Sequence, residues 1–326
     1  MKVLVLSHGD CDGVIAAALY IRHFLIDLYP SNIMIGFTQP WRASKEIKRF
    51  CRDFCEKIIL LDIAIDEEVF SAIANSIGKG SEIHIIDHHT TTGQWVNKLR
   101  DLGANILWSR STSTPRLIKE SLKITLNPYE ENLVEIADAC EGSETRGSDI
   151  KNLADLLKLA ISRDPSDIGF LTNLLNTMLR GGRIEELEEL RSKAKAGRML
   201  VDNLLDKIAS RGEVIGDFIL FYLQPAESRI YAGLFGIACT EASKKFNKDV
   251  VILREEDSKI VVTVRSLSDK ALSICKEIVS RTSSGKYGGH KEAASATILG
   301  YSLKDTIDIV REILWSMTRK KESTEQ

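Results

Sequence analysis

No apolar run in the 326-residue sequence reaches the roughly 18 residues that a membrane-spanning helix needs, so no contact with a membrane interior is expected. An excess of charge is missing too: 44 Lys and Arg stand against 46 Asp and Glu, a formal net charge of −2. Proteins that coat duplex DNA carry a marked cationic excess, so any nucleic-acid contact here has to be a local groove. Cysteine is sparse, six residues spread along the chain, which excludes a small fold stapled by disulfides. The opening MKVLVLSHGD lacks the apolar core and cleavage site of a secretory leader. Together these absences predict a cytoplasmic protein with reduced thiols. Cys51 and Cys55, four apart on a predicted helix with no histidine close by, are expected as one buried and one half-buried thiol rather than as zinc ligands. Neither an internal repeat nor a low-complexity tract is present.

What remains is an ordinary globular composition, 44% hydrophobic, with length for about two domains. The first half alternates short β-branched runs with helix-length amphipathic stretches, the pattern of a doubly wound, mostly parallel α/β sheet. Strands are predicted at Lys2–Leu6, Asn32–Gly36, Lys57–Leu61, Glu82–Ile86 and Ala104–Leu107. Helices are predicted between them at Gly13–Leu28, Ala43–Phe54, Asp66–Ser76 and Thr114–Leu122. From about Pro128 to Arg211 the pattern is almost wholly helical, ending in a long connector. Strand-like runs return at Asp217–Leu223, Asp249–Leu253 and Lys259–Val264, with helices near Tyr231–Lys245, Leu267–Val279 and Leu303–Met317. The expected division is therefore a first domain at 1–190, a helical linker at 191–213, a smaller α/β domain at 214–318 and a flexible polar tail at 319–326.

Open sheets of this kind bind ligands at the carboxyl ends of their strands, which directs attention to the residues past Leu6, Leu61 and Ile86. After the first comes Ser7-His8-Gly9-Asp10-Cys11-Asp12-Gly13, two carboxylates and an imidazole on a loop that opens a helix. Carboxylates gathered there repel one another and resist desolvation, which a bound cation relieves. The segment alone reads equally as a helix N-cap. The third strand ends in Asp62 and the fourth in Asp87-His88-His89, a triplet that chance explains poorly. Asp138, near a helix end, reads by itself as a solvated residue. His23 and His84 read as structural and Arg180-Gly181-Gly182-Arg183 as an interhelix turn; the polar run from Ser111 to Pro115 reads as a helix cap that, as a loop past a fifth strand, could also face a phosphate, and it is left outside the site.

These residues resemble the DHH phosphoesterase superfamily, whose motifs occur in order as SHGDCDG at 7–13, Asp62, DHH at 87–89 and Asp138. VRS at 264–266 and GKYGGHKEAASA at 285–296 resemble the DHH-associated substrate domain of the RecJ-like and NrnA-like branch. Cys11 stands where relatives often have a small residue. The resemblance implies two Mn²⁺ ions, with Mg²⁺ as the alternative. His8, Asp10 and Asp62 would bind one; Asp12, Asp62, His88 and Asp138 would bind the other. Asp87 would orient a neighbouring ligand and His89 would stabilise charge on a phosphate oxygen. Arg265, Ser266, Gly288, Gly289 and His290 would contact the substrate across the cleft, while Tyr287 either stacks on a base or packs on its own domain. The implied activity is a metal-dependent phosphodiesterase or exonuclease that degrades single-stranded or short DNA or RNA to nucleoside monophosphates. A cyclic or linear dinucleotide phosphodiesterase is the alternative within enzymes. Outside them, a non-catalytic replication or repair scaffold that partners a helicase is the competing reading.

Overall fold

The computed structural model describes residues 2–145, 147–256 and 258–322. The chain divides into two units, one up to Lys195 and one from Ala196 onward. The first follows the order β1 (Val3–His8), α1 (Cys11–Phe24), β2 (Ile33–Thr38), α2 (Ala43–Phe50), β3 (Lys57–Leu61), α3 (Glu67–Gly78), β4 (Glu82–Asp87), α4 (Val96–Asp101), β5 (Asn105–Trp108) and α5 (Thr114–Ser121). Four helices follow: α6 (Pro128–Cys140), α7 (Ser148–Arg163), α8 (Ile168–Leu179) and α9 (Glu188–Arg211), the last running on into the second unit.

All five strands are parallel, in the order β2-β1-β3-β4-β5. Such strands are covered on both faces, which is why Val3–Leu6 and Ile58–Leu61 are unbroken buried apolar runs. Helices α2, α3 and α4 close one face over Leu4, Leu6, Ile58, Leu60, Ile83, Ile85 and Ile106; α1 and α5 pack on the other. Strands are added to one side of β1 with β2 and to the other from β3 onward, and at such a switch point between β1 and β3 sheets of this kind open a crevice at the carboxyl ends.

Helix boundaries differ from expectation where side chains intervene. Asp10 caps α1 by accepting from the Gly13 amide at 2.9 Å, which starts the helix at Cys11. Helix α2 stops at Phe50 rather than Phe54 because the chain turns there and Cys51 bonds to Cys55, their Cα atoms 5.2 Å apart. Cys11 and Cys140 form a second disulfide, Cα atoms 6.3 Å apart across 129 positions. The reduced-thiol reading is thus overturned for four of the six cysteines. Cys239 and Cys275 are free and buried.

The second unit contains β6 (Glu213–Ile215), β7 (Phe218–Leu223), α10 (Pro225–Ile230), α11 (Phe235–Phe246), β8 (Asp249–Glu256), β9 (Lys259–Arg265), α12 (Ala271–Thr282), β10 (Gly285–Gly289), β11 (Ala293–Leu299) and α13 (Leu303–Glu322). Its sheet runs β10-β11-β9-β8-β7-β6 and is mixed: β7 and β8 are parallel and the other pairs antiparallel. Helices α12 and α13 bury Ile274, Ile278, Val310 and Ile313 against one face; α10 and α11 pack on β8, and α11 also on β9. The expected tail is helical as far as Glu322, and residues 323–326 lie outside those described.

Candidate active site

The carboxyl edge of the parallel sheet gathers most of the expected ligands. His8 ends β1 with Nε2 at 3.2 Å from Gln39 Oε1, which leaves Nδ1 at 2.9 Å from Asp10 Oδ2 and 3.4 Å from Asp62 Oδ2. This approach depends on Gly13, since a Cβ there would stand 2.3 Å from the His8 carbonyl oxygen. Asp62 follows β3 with a φ of 58°, a left-handed conformation that Asp tolerates better than most residues. Its other oxygen, Oδ1, lies 3.4 Å from His88 Nε2 and 3.8 Å from His89 Nδ1. His88 Nδ1 is held by the Ser111 carbonyl at 3.1 Å, so Nε2 faces Asp62 and, at 3.5 Å, Asp12. His89 gives Nδ1 to the buried Asp87 carboxylate at 2.7 Å.

Asp12, Asp62 and Asp87 are fully or almost fully buried. Burial and the neighbouring Asp62, Glu141 and Asp10 charges push the Asp12 carboxyl well up. Burial pulls the other way on Asp62, but His8 and His88 outweigh it and hold that carboxyl well below its usual range. Burial would lower the His88 imidazole, yet Asp62 raises it to about 9. Against the same penalty Asp10 and Asp62 raise His8, and Asp87 raises His89. Carboxylates and imidazoles packed this closely raise or lower one another's pKa, a mutual perturbation that a shared divalent cation would relieve. His8, Asp10 and Asp62 can each offer an atom within 4.8 Å of the others, as can Asp62, His88 and His89. His8 Nδ1 and Asp62 Oδ2 are buried and make no well-formed hydrogen bond. Mixed imidazole and carboxylate donors with such orphaned atoms fit Mn²⁺ or Mg²⁺ better than a thiophilic metal.

Two expected ligands are engaged elsewhere. Both oxygens of Asp12 accept from the Thr114 amide, at 3.0 and 3.2 Å. Asp138 accepts from Ser113 Oγ at 2.6 Å on one oxygen and from the Arg116 guanidinium on the other, Nε at 2.9 Å.

In the second unit, Arg265 ends β9 opposite Ala293, and Gly289 ends β10 opposite Ala294. Arg265 and Gly289 therefore flank the start of β11, about two strand spacings or ~10 Å apart. Arg265 uses Nε on Thr240 Oγ1 and Nη1 on the Val264 carbonyl, both at 3.0 Å. Ser266 is buried, donates to Asp249 at 2.9 Å and accepts from the Lys270 amide, so its hydroxyl organises the start of α12. Gly288 is exposed with nothing within 4 Å of a would-be Cβ, whereas Gly289 has φ 127° and would strike the Ala293 carbonyl oxygen at 2.4 Å. His290 is exposed and its amide donates to that carbonyl at 2.7 Å. Tyr287 is exposed as well.

Residues 217–316 match the DHHA1 domain. The whole chain superposes on a DHH-domain member of the S1p family of ribosomal proteins with a TM-score of 0.70 at 14% identity, covering 96% of this chain and 86% of that one. This chain joins a DHH-type fold to a DHHA1 domain. RecJ from Thermus thermophilus, crystallised in complex with Mn²⁺, gives a TM-score of 0.61 at 14% identity; the match covers 96% of this chain and 52% of RecJ, about half its length. An exopolyphosphatase-related protein from Bacteroides fragilis gives 0.59 at 14% identity, covering 98% of this chain and 93% of that one. No curated protein matches the sequence.

The segment from Ser111 to Arg116, left outside the expected site, caps α5 through Ser113 as expected and also supports the ligands. Ser111 holds His88, Ser113 and Arg116 hold Asp138, and Thr114 binds Asp12 through its amide and Asp62 through Oγ1 at 3.1 Å. Four expected ligands are thus positioned by one polar turn. The sequence signal is a Ser/Thr cluster directly past a fifth parallel strand, on the edge that carries the motifs; Arg116 had no such signal. Glu141 was also missed. Its carboxyl is pushed up to about 7 by desolvation and by the Asp10 and Asp62 charges; because the side chain is exposed, repulsion is the firmer cause.

Proposed function

We propose that the chain is a divalent-metal-dependent phosphodiesterase that degrades single-stranded or short oligonucleotides, DNA or RNA, to nucleoside monophosphates, with Mn²⁺ as its ion and Mg²⁺ as the alternative. One observation carries the reading. Asp62 directs Oδ2 toward His8 and Oδ1 toward His88, each at 3.4 Å, the disposition of a carboxylate shared between two cation positions. His8, Asp10 and Asp62 would hold one ion, and Asp12, Asp62, His88 and Asp138 the other.

Such a pair, when bound, supplies Lewis-acid charge to the phosphate and acidifies the attacking water. The protein's own groups then orient and stabilise. Asp87 fixes the His89 ring through Nδ1, which leaves Nε2 to meet a phosphate oxygen as negative charge develops. Arg265, Gly288, Gly289 and His290 are assigned to the phosphate and sugar of the nucleotide, with Gly288 offering the most open backbone for close approach, while Ser266, expected as a further contact, is buried and holds the start of α12 beside them. A helicase or other replication or repair partner would add to this activity rather than replace it.

The test incubates purified protein and Mn²⁺ with end-labelled DNA and RNA of two to about thirty nucleotides and follows the product ladder. Mononucleotide release by the wild type and its loss in Asp62→Asn and His88→Ala is the expected result. Wild-type turnover by both variants overturns the proposal. Hydrolysis confined to dinucleotides transfers it to a dinucleotide phosphodiesterase.

A further inference from the structure

The two clusters on the carboxyl edge are not equivalent. The His8, Asp10 and Asp62 side chains face one another directly, but Asp138, the fourth expected ligand of the other cluster, already has a cation of the protein's own. Arg116, on the first turn of α5, donates to Asp138 Oδ2 through Nε at 2.9 Å and also through Nη2. Ser113 occupies Oδ1 at 2.6 Å, Asp138 is buried and Arg116 is half-buried, so both oxygens already have protein partners with little exposure to solvent. A charge-assisted pair with little water around it resists separation more than an exposed one.

We propose that Arg116 is a resident counter-ion that must leave Asp138 before a second divalent cation can be held there, so that the two cation positions of this chain differ in affinity. The inference rests on the two-cation reading above and adds to it. With the guanidinium in place Asp138 is electrically satisfied, and a second ion gains from it only after the Arg116 pair is broken. The first cluster pays no such toll, because Arg116 touches none of its members. Arg116 is therefore a positioning residue: it tunes occupancy and sets a cation concentration below which the site holds one ion.

The test titrates chelator-stripped, full-length protein with Mn²⁺ alone, read by the electron paramagnetic resonance signal of free ion and by calorimetry. Wild type, Arg116→Gln, Arg116→Lys and Asp138→Asn are compared, with circular dichroism to confirm folding. In wild type a tighter and a weaker event are expected. Arg116→Gln should tighten the weaker event about tenfold, the value of one charge-assisted pair, and leave the tighter one within about twofold. Arg116→Lys, which keeps the charge but loses the fork, should fall between, and Asp138→Asn should abolish the weaker event. Unchanged or weakened second binding in Arg116→Gln overturns the role of Arg116 and leaves the two-cation reading standing. Absence of Mn²⁺ binding in every protein, wild type included, sinks both.

Discussion

The two sheets hold their chemistry-bearing residues in opposite ways. In the parallel sheet every strand ends on the same edge, so His8, Asp62, Asp87 and the turn after β5 converge and bury charge together. The mixed sheet splits its strand ends between two edges, and of the strands that carry expected substrate residues β9 and β10, which lie on either side of β11, finish on the same one. What they deliver is a partly engaged arginine, exposed glycine backbone and an exposed histidine. One edge gathers buried carboxylates and imidazoles that suit a cation; the other offers backbone and a fork that suit a ligand already carrying its own charge. The cysteines follow the same division, with both disulfides in the first unit and both free thiols in the second.

The comparison breaks most visibly in turnover. Asp62→Asn keeps the shape of the shared carboxylate but removes its charge, and should lower kcat by roughly 10³-fold. Arg265→Ala should act mainly on KM, by about tenfold, with kcat nearly kept. A kcat collapse in Arg265→Ala, or a pure KM effect in Asp62→Asn, would erase the distinction between the two edges.

The next largest effect is covalent. Cys11 and Cys140 flank Asp10, Asp12 and Asp138 and close a loop of 129 positions, so Cys140→Ser should destabilise the first unit by about 2–4 kcal/mol. Hydrogen exchange should quicken in β1, α1 and α6 and stay unchanged in β7 to β9. Thiol titration sharpens the point. The unfolded, unreduced protein should show two reactive thiols, Cys239 and Cys275, whose pKa values burial pushes to about 12 in the native fold. Six reactive thiols before any reductant is added would show that neither disulfide forms.

Mn²⁺ should then stabilise one side only. At a hundredfold excess over Kd the gain is about 2.7 kcal/mol, and a chelator should reverse it. Added protection from exchange is expected at the ends of β1, β3 and β4 and in the first turn of α5. Equal protection in β10 and β11 would mean that the cation acts on the whole chain rather than on the charged edge.

What the sequence disclosed, and what it withheld, follows the same physics. The parallel strands were legible because strands covered on both faces read as unbroken β-branched runs, and their ends could be placed to within two residues, which located His8, Asp62 and Asp87. The β10–β11 hairpin was not. GKYGG and AASATIL are rich in glycine and alanine, carry little strand propensity, and form strands only because β9 offers a partner. Long-range pairing was equally hidden: nothing local to Cys11 points to Cys140, and nothing local to Asp138 points to Arg116. The four-residue spacing of Cys51 and Cys55 misled because it matches a helical turn, and the helix had already ended.

The smallest contrast is between two glycines in motifs that look alike on paper. At Gly13 a Cβ would stand 2.3 Å from the His8 carbonyl oxygen and 2.9 Å from the His8 Cβ, so the backbone of β1 or α1 must move for Ala to fit. Gly13→Ala should lower stability by about 1–3 kcal/mol and weaken Mn²⁺ binding, since His8 is the ligand displaced. At Gly288 nothing lies within 4 Å, and Gly288→Ala should change stability by less than about 0.5 kcal/mol. Its effect is expected in KM for the oligonucleotide, because the added methyl intrudes only on a ligand that comes close. Thermal melts with and without Mn²⁺, beside KM for both variants, make the comparison. A stability loss at Gly288 equal to that at Gly13 would mean that its glycine serves the hairpin and not a ligand.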